Sequence, residues 1–297
     1  MKTFCFYHSA DLDGHCSGAI VKRAIPEAEL IGINYGDEFD FDMVAGHQVI
    51  MVDFSLQPFV EMMVLAERVG ELIWIDHHRS VIKEAVDHGL EVPGILDSSG
   101  AACEHCWLYY FPGEPMPEAV RLLGRYDVWD HDDPEVLPFQ YGMRFYEETR
   151  PERNPGLWTM LLDHQMWKDV FDDTMSRGRS ALEWERIQNA KRAKACAFEA
   201  ELDGLDLIAM NHQLTNSKVF DSVWDPEKYH AMCTFGWRKG KWTVSLYSDR
   251  DDVDVGEIAK ARGGGGHKGA AGFQCEKLPL GYVIPGPSHP HHVVRLI

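Results

Sequence analysis

At 297 residues the chain is too long for one small core, and its length favours two domains. With 45% apolar and 26% charged residues it has the composition of a globular protein, which excludes a disordered chain. The formal charge of −18 gives no general counterion-release drive for a long polyanion, so duplex DNA is excluded as an expected partner, whereas a small nucleotide or short oligonucleotide held by local cations and metals fits.

Residues 3–7 alternate, are rich in aromatics and predict a first strand. The strand runs into His8-Ser9-Ala10-Asp11-Leu12-Asp13-Gly14, followed by a helical segment from Ser17. A His, two acids and a Gly at this strand-to-helix turn place three potential ligands on a tight loop; a helix-capping role would account for one acid alone. Residues 29–34 and 48–52 predict the next two strands, the latter ending in Asp53-Phe54-Ser55. After a helix over 58–69, the short apolar run Leu72-Ile73-Trp74-Ile75 fits a buried strand, and it delivers Asp76, His77, His78, Arg79 and Ser80 at its C-terminal end. Residues 81–88 return as helix. Strands alternating with helices at this spacing imply βαβ crossovers and a largely parallel sheet, with the acidic loops emerging on one edge, where open α/β sheets bind ligands.

Residues 95–100, with Ser98 and Ser99, lead into a helix from Ala101 to about Tyr110, whose N-terminus either binds phosphate or is simply serine-capped. Cys103-Glu104-His105-Cys106 in this helix has zinc-like local spacing, but no second Cys/His pair follows at a fitting distance, and it reads equally as one helix face. A helix over 117–129 brings Asp127 among aromatics, while residues 134–177 carry no motif to which chemistry is assigned. Residues 178–202 predict a long bridging helix with Arg179, Arg186, Lys191, Arg192 and Lys194 on a solvated or substrate-facing side. Strands are predicted over 205–210, 230–237 and 241–248, then a short helix over 255–262. The following Gly263-Gly264-Gly265-Gly266-His267-Lys268-Gly269 reads as a loop offering backbone N–H groups to an anion, or as a linker. The His-rich tail Ser288-His289-Pro290-His291-His292 reads as a surface segment.

The start of the chain is too short for a signal sequence, and no apolar run approaches membrane-spanning length, so no membrane association is expected. Seven cysteines without framework spacing agree with a reducing compartment, and the chain is read as cytoplasmic.

Together His8, Asp11, Asp13, Asp53, His77 and Asp127 supply two imidazoles and four carboxylates, enough donors for two divalent ions. The absence of thiolate from that set points to Mn²⁺, with Mg²⁺, Fe²⁺ or Co²⁺ as alternatives. Two such ions form the usual clamp for displacement at phosphorus. With its Asp76-His77-His78 triplet and the segment Gly264-Gly265-Gly266-His267-Lys268-Gly269-Ala270-Ala271-Gly272, the chain resembles the DHH phosphoesterases with their associated C-terminal domain. It is most similar to the group described as oligoribonuclease B or cAMP/cGMP phosphodiesterase.

The resemblance implies an α/β fold in two domains. A catalytic metal-binding domain with a largely parallel sheet flanked by helices would span 1–177, a helical linker 178–203, a smaller nucleotide-binding α/β domain 204–285 and a tail 286–297. It further implies a first metal on His8, Asp11 and Asp53 and a second on Asp13, Asp53, His77 and Asp127, with Asp53 bridging. Asp76 would orient the imidazoles and His78 would contact the scissile phosphate and protonate the leaving oxygen. Arg79, Ser98 and Ser99 would contact phosphate, and Gly264, Gly265, Gly266 and His267 would hold the distal nucleotide across a cleft between the domains. The implied activity is hydrolysis of short oligoribonucleotides or cyclic mono- or dinucleotides to 5′-mononucleotides; alternatives are a 3′-phosphoadenosine 5′-phosphate phosphatase and a non-catalytic nucleotide sensor. Two departures stand out: His8 and Asp11 are three apart where many relatives have four steps, and Tyr247 stands where many carry an Arg, with Arg250 nearby. Homodimers occur in that family; this sequence shows no interface signal.

Overall fold

The structure is a computed structural model describing residues 1–163, 166–284 and 292–295, so residues 288–291 of the His-rich tail lie outside the described residues. The chain divides into two compact units, Met1–Leu182 and Glu183–Ile297.

In the first unit the elements run β1 (Thr3–His8), α1 (Leu12–Ala24), β2 (Glu29–Ile33), α2 (Phe41–Val44), β3 (Gln48–Val52), α3 (Val60–Arg68), β4 (Glu71–Asp76), α4 (Arg79–His88), β5 (Gly94–Leu96), α5 (Ala102–Tyr110), α6 (Glu118–Asp127), α7 (Val136–Met143) and α8 (Pro155–Leu161). A long helix, α9 (Trp167–Cys196), runs through the boundary in sequence. The five strands form one parallel sheet in the order β2-β1-β3-β4-β5. Side-chain alternation divides each strand between two cores. Cys5, Tyr7, Ile50, Val52, Ile73 and Ile75 pack with residues of α1, α5, α6, α7 and α8 on one face. Phe4, Phe6, Val49, Met51, Leu72 and Trp74 pack with α2, α3 and α4 on the other. Because both faces are covered, the strands read as continuous apolar runs rather than as alternating ones. The order reverses between β1 and β3, which opens a crevice at their carboxyl ends.

Residues 134–177, mute in the sequence, form α7, α8 and the start of α9 and close the core over α1. Trp158 Nε1 donates to the Thr149 carbonyl at 2.7 Å, and Tyr7 donates its hydroxyl to Glu152 at 2.7 Å. Helices α7 and α9 meet backbone to backbone: a Cβ on Gly178 would lie 1.7 Å from the Pro138 carbonyl oxygen.

The second unit carries β6 (Phe198–Leu202), β7 (Leu205–Asn211), β8 (Ala231–Arg238), β9 (Lys241–Tyr247), α10 (Val255–Lys260), β10 (Gly265–His267), β11 (Ala270–Cys275), β12 (Gly281–Ile284) and β13 (His292–Arg295). They form one eight-stranded mixed sheet in the order β10-β11-β9-β8-β7-β6-β12-β13. Two local expectations are corrected. Helix is expected through Leu202, but α9 ends at Cys196 and β6 follows, because Ala200 and Leu202 alternate with Glu199 and Glu201 and bury at a period of two. The glycine stretch is a hairpin rather than an open loop: β10 pairs antiparallel with β11, and Gly266, at φ 142°, sits where a Cβ would lie 2.5 Å from the Ala270 oxygen. The strand β13 falls in the segment expected as a tail. Among the described residues no helix is long and apolar enough to cross a membrane.

The α7–α9 contact predicts that Gly178→Ala destabilises the protein by about 1–3 kcal/mol, since the new methyl must push the two backbones apart. Gly156→Ala, in α8 with nothing within 4 Å, should be neutral or gain up to about 1 kcal/mol of helix propensity. Chemical denaturation of the two variants checks the contrast; equal effects would refute the close-packing account.

Candidate metal centre

The carboxyl ends of β1, β3 and β4 lie side by side, and the loop after each contributes acids and imidazoles. Asp11 is the N-cap of α1, its Oδ1 accepting from the Gly14 N–H at 2.9 Å, while its Oδ2 lies 2.7 Å from His8 Nδ1. One carboxylate thus both caps the helix and faces the imidazole. The turn is so tight that a Cβ on Gly14 would lie 2.0 Å from the His8 carbonyl oxygen. Asp13, in the first turn of the helix and 2% exposed, receives the backbone N–H groups of Ala102 at 3.0 Å and Cys103 at 2.8 Å. The N-terminus of α5 is therefore spent on a carboxylate, with its dipole in the stabilising sense.

Asp53 follows β3 in the left-handed region at φ 55°, a conformation that Asp tolerates better than most residues. Its side chain is 2% exposed and lies between the other groups: Oδ2 is 3.6 Å from His8 Nδ1, and Oδ1 is 3.3 Å from His77 Nε2 and 3.9 Å from His78 Nδ1. His77 Nε2 also reaches Asp127 Oδ2 at 3.2 Å and Asp13 Oδ2 at 3.8 Å. Three groups gather ligand atoms within 4.8 Å of one another: His8, Asp11 and Asp53; Asp13, His77 and Asp127; and Asp53, His77 and His78. These acidic and imidazole clusters could bind metal, and all six sequence-predicted ligands fall within them.

The charges respond to this crowding. Burial and the neighbouring Asp53 and Asp127 carboxylates push the Asp13 carboxyl well above its usual range. Burial and Asp53 push Asp127 up to about 6. For His8 burial opposes the charge, but Asp11 and Asp53 outweigh it and hold the imidazole at about 10. Burial likewise opposes His77, and Asp53, Asp13 and Asp127 hold it at about 9. His78 rises to about 9 chiefly through its hydrogen bond to Asp76.

Asp76 is fully buried at the end of β4 and accepts hydrogen bonds from His78 and Trp74. Its Oδ1 accepts from the His78 backbone N–H at 2.9 Å and from His78 Nδ1 at 2.7 Å, and its Oδ2 accepts from Trp74 Nε1 at 3.3 Å. Trp74 Nε1 is shared with the Phe54 carbonyl at 3.0 Å, so the indole ties Asp76 to the loop that carries Asp53. The period of two that puts Trp74 on the same side of the strand as Asp76 is the sequence signal that could have revealed it. Two further neighbours carry no sequence signal. His15 bonds the Ser9 carbonyl at 3.1 Å and the Thr149 hydroxyl at 2.9 Å, and burial lowers its pKa. Tyr35, half-exposed, sets its ring edge-on to His8 at 5.7 Å and against Phe54 at 4.8 Å.

The remaining sequence-predicted residues are not members of these three clusters. Arg79 opens α4 and is exposed. Ser98 and Ser99 stand on an exposed turn beyond β5, with the Ser99 hydroxyl and N–H both donating to Asp97 at 2.6 and 2.9 Å. Gly264, Gly265, Gly266 and His267 lie in or beside the exposed β10 of the second unit. Tyr247 ends β9 packed beside the cluster of Ile208, Met210 and Phe220, and its hydroxyl donates to the Thr215 carbonyl at 3.2 Å. Arg250 is paired with Asp252 at 2.7 Å. Cys103 and Cys106 are buried on the core face of α5.

No protein-family model matches the chain. The uncharacterized protein R106 of Acanthamoeba polyphaga mimivirus is 28% identical over 257 residues, covering 81% of this chain. The chain spans only 56% of that relative's length. RecJ of Thermus thermophilus, solved in complex with Mn²⁺, gives a looser likeness that fixes neither substrate nor metal here: 16% identity, TM-score 0.45, over 92% of this chain and 49% of RecJ. The pGpG-specific phosphodiesterase PggH of Vibrio cholerae superposes over 92% of this chain and 93% of its own with a TM-score of 0.55 at 15% identity, so the two share an α/β fold over nearly their whole lengths.

Proposed function

We propose that this chain is a metal-dependent phosphodiesterase of the DHH phosphoesterase kind, which hydrolyses short oligoribonucleotides or cyclic (di)nucleotides to 5′-mononucleotides. In this reading the first unit is catalytic and the second binds nucleotide. The observation that carries the reading is Asp53: a buried carboxylate common to two of the ligand clusters, whose Oδ1 makes no aligned hydrogen bond among the described residues although His77 Nε2 stands 3.3 Å away. A buried polar oxygen without an aligned donor is costly unless a cation takes it, and one side chain facing two clusters suits a bridging ligand. His8, Asp11 and Asp53 would hold one ion and Asp13, Asp53, His77 and Asp127 a second, and the nitrogen and oxygen donors suit Mn²⁺, with Mg²⁺, Fe²⁺ or Co²⁺ as alternatives. Bound there, the ions would supply charge stabilisation at phosphorus and acidify water.

The protein's own groups provide orientation. Asp76, fixed by Trp74, holds His78 through Nδ1, which leaves His78 Nε2 to donate to the scissile phosphate or its leaving oxygen. Arg79, one residue on and exposed, would compensate substrate charge. The fold shared with a pGpG-specific enzyme favours a short linear diester over a cyclic one. A terminal-phosphate specificity is less well supported. Tyr247 is committed to Thr215, and Arg250 to Asp252 and the Pro226 carbonyl, so neither offers an unpaired cation where the phosphatase reading needs one.

Product analysis with Mn²⁺ on a diribonucleotide, a longer RNA, cyclic mono- and dinucleotides and 3′-phosphoadenosine 5′-phosphate tests the reading. Mononucleotide release from the short diesters is expected, and inorganic phosphate release from the bisphosphate alone would overturn it. Asp53→Asn should lower hydrolysis by at least about 100-fold, the upper end of what losing a group outside the ligand set usually does. The same variant should melt close to the metal-free parent, because the repulsion from Asp13 and Asp127 that it relieves offsets the attraction to His8 and His77 that it removes.

Metal loading gives a second check. Mn²⁺ at about 100 times its dissociation constant should add about 2.7 kcal/mol, raising the melting temperature of the parent but not of Asp53→Asn. A ligating imidazole must be neutral, and the carboxylates hold His8 at about 10 and His77 at about 9, so protons compete with the ion below those values. The Mn²⁺-induced rise should therefore be larger at pH 8 than at pH 6. An equal rise at both would argue against imidazole ligation.

A further inference from the structure

Immediately after Asp127 the chain makes a choice that the fold does not require. Helix α6 ends in a paired-bond stop: the Trp129 N–H donates to the Tyr126 carbonyl at 3.2 Å and the Asp130 N–H reaches back to the Arg125 carbonyl at 2.9 Å. In this helix ending the first of the two donor residues must turn left-handed, and glycine or asparagine normally occupies that place. Here it is Trp129, at φ 62°. A bulky residue at positive φ is a true outlier that persists only where something other than local folding favours it. Packing does not, because the Trp129 side chain is 80% exposed.

What surrounds Trp129 is aromatic and cationic. Its ring lies 5.4 Å from that of His131 at 32°, His131 stacks on Tyr126 at 5.2 Å and 22°, and the Arg144 guanidinium sits 5.9 Å over Tyr126 and donates to the Tyr126 hydroxyl at 3.0 Å. The rings step outward from Tyr126 of α6 through His131 and end on Trp129, the most exposed indole among the described residues. Trp129 is two residues from Asp127, so their Cα atoms lie within about 7 Å of one another. A flat, exposed π-surface anchored on the chain two residues from a proposed metal ligand suits a nucleoside whose own 5′- or 3′-phosphate lies at that ligand.

We propose that Trp129, backed by His131 and Tyr126, is a stacking platform for the nucleobase of the substrate, and that it confers a preference for nucleotides over phosphates of bare sugars. Stacking on an indole needs only a π-face, so the platform would discriminate base from no base rather than one base from another. The proposal rests on the phosphodiesterase reading for the placement of the phosphate, but its test does not depend on turnover.

Titration calorimetry of the 297-residue chain with Mn²⁺ would compare AMP with ribose 5-phosphate, which carries the same phosphate and sugar without the base. The parent should bind AMP about 10-fold or more tightly, the range that a single base stack supplies. Trp129→Gly should reduce that ratio to about 2-fold or less while raising the melting temperature, since glycine suits the left-handed position. Trp129→Phe should keep most of the preference, and Trp184→Ala, at an exposed tryptophan of α9, should keep all of it. The proposal is overturned if the parent shows no AMP preference, if Trp129→Gly retains it, or if Trp129→Gly weakens both ligands equally. A parent that prefers AMP through Trp129 yet cleaves no diester would sink the phosphodiesterase reading and leave the platform standing.

Discussion

Asp13, Asp53 and Asp127 all come within 4 Å of one imidazole nitrogen of His77, and like charges so gathered in a buried place repel strongly. The rest of the first unit is arranged to make that crowding tolerable. The parallel sheet reverses its order between β1 and β3, which brings the β1 and β3 loops together with the β4 loop beside them, while α5 spends its first N–H groups on Asp13. The imidazoles of His8 and His77 are raised by the carboxylates around them, and Asp13 and Asp127 are raised as well. These four groups hold protons more tightly than they would in water, whereas Asp11, where hydrogen bonds from His8 and the Gly14 N–H outweigh burial, is lowered. A site that attracts protons in this way attracts any small cation with suitable donors, and a divalent ion answers two carboxylates where a proton answers one.

The same physics explains which parts of this centre are legible in the sequence. The three central strands are short apolar runs buried on two faces, and every predicted acid except Asp127 sits at a strand end, in the loop that follows or in the first turn of the next helix. The parallel arrangement and its single ligand edge therefore follow from the order of elements. Asp11 and Asp13 can be placed on the first loop, although not given their separate tasks. That one caps α1 while the other is held by the N-terminus of α5 depends on a long-range contact that no local pattern carries.

Positioning groups are harder to read than ligands for a related reason. Trp74 looks like an ordinary core residue of an apolar run, and most of it is; only its Nε1, shared between Phe54 and Asp76, takes part in the site. Residues 134–177 show no motif because their work is steric: Trp158 and Phe139 fill the core over α1, and Gly178 lets two helices touch. The glycine stretch before His267 reads as open because runs of glycine suggest freedom. In the fold they serve closeness instead, for a side chain at Gly264 or Gly266 would drive β10 off β11. Phe198–Leu202 shows a milder version, where five residues of alternating burial stop a helix that propensity would carry on.

Charge at long and short range points in opposite directions in this protein, and the contrast bears on the substrate class proposed for it. A net charge of −18 repels a polyanion in proportion to the number of phosphates that approach the surface together, so each added nucleotide brings a further repulsion without a compensating released counterion. Within a Debye length of about 8 Å the balance would change, because an ion bound in the carboxylate cluster would add its positive charge to that of the exposed Arg79 beside His78. One or two phosphates fit inside that radius; a long strand does not. Attraction confined to so small a volume cannot come from the phosphate alone if nucleotides are to be told from other phosphate esters, and the additional free energy has to come from a surface that is indifferent to charge. Exposed aromatic rings meet that requirement, and under the proposed function an acidic protein acting on short nucleotides would have reason to keep an indole where a glycine would fold more easily.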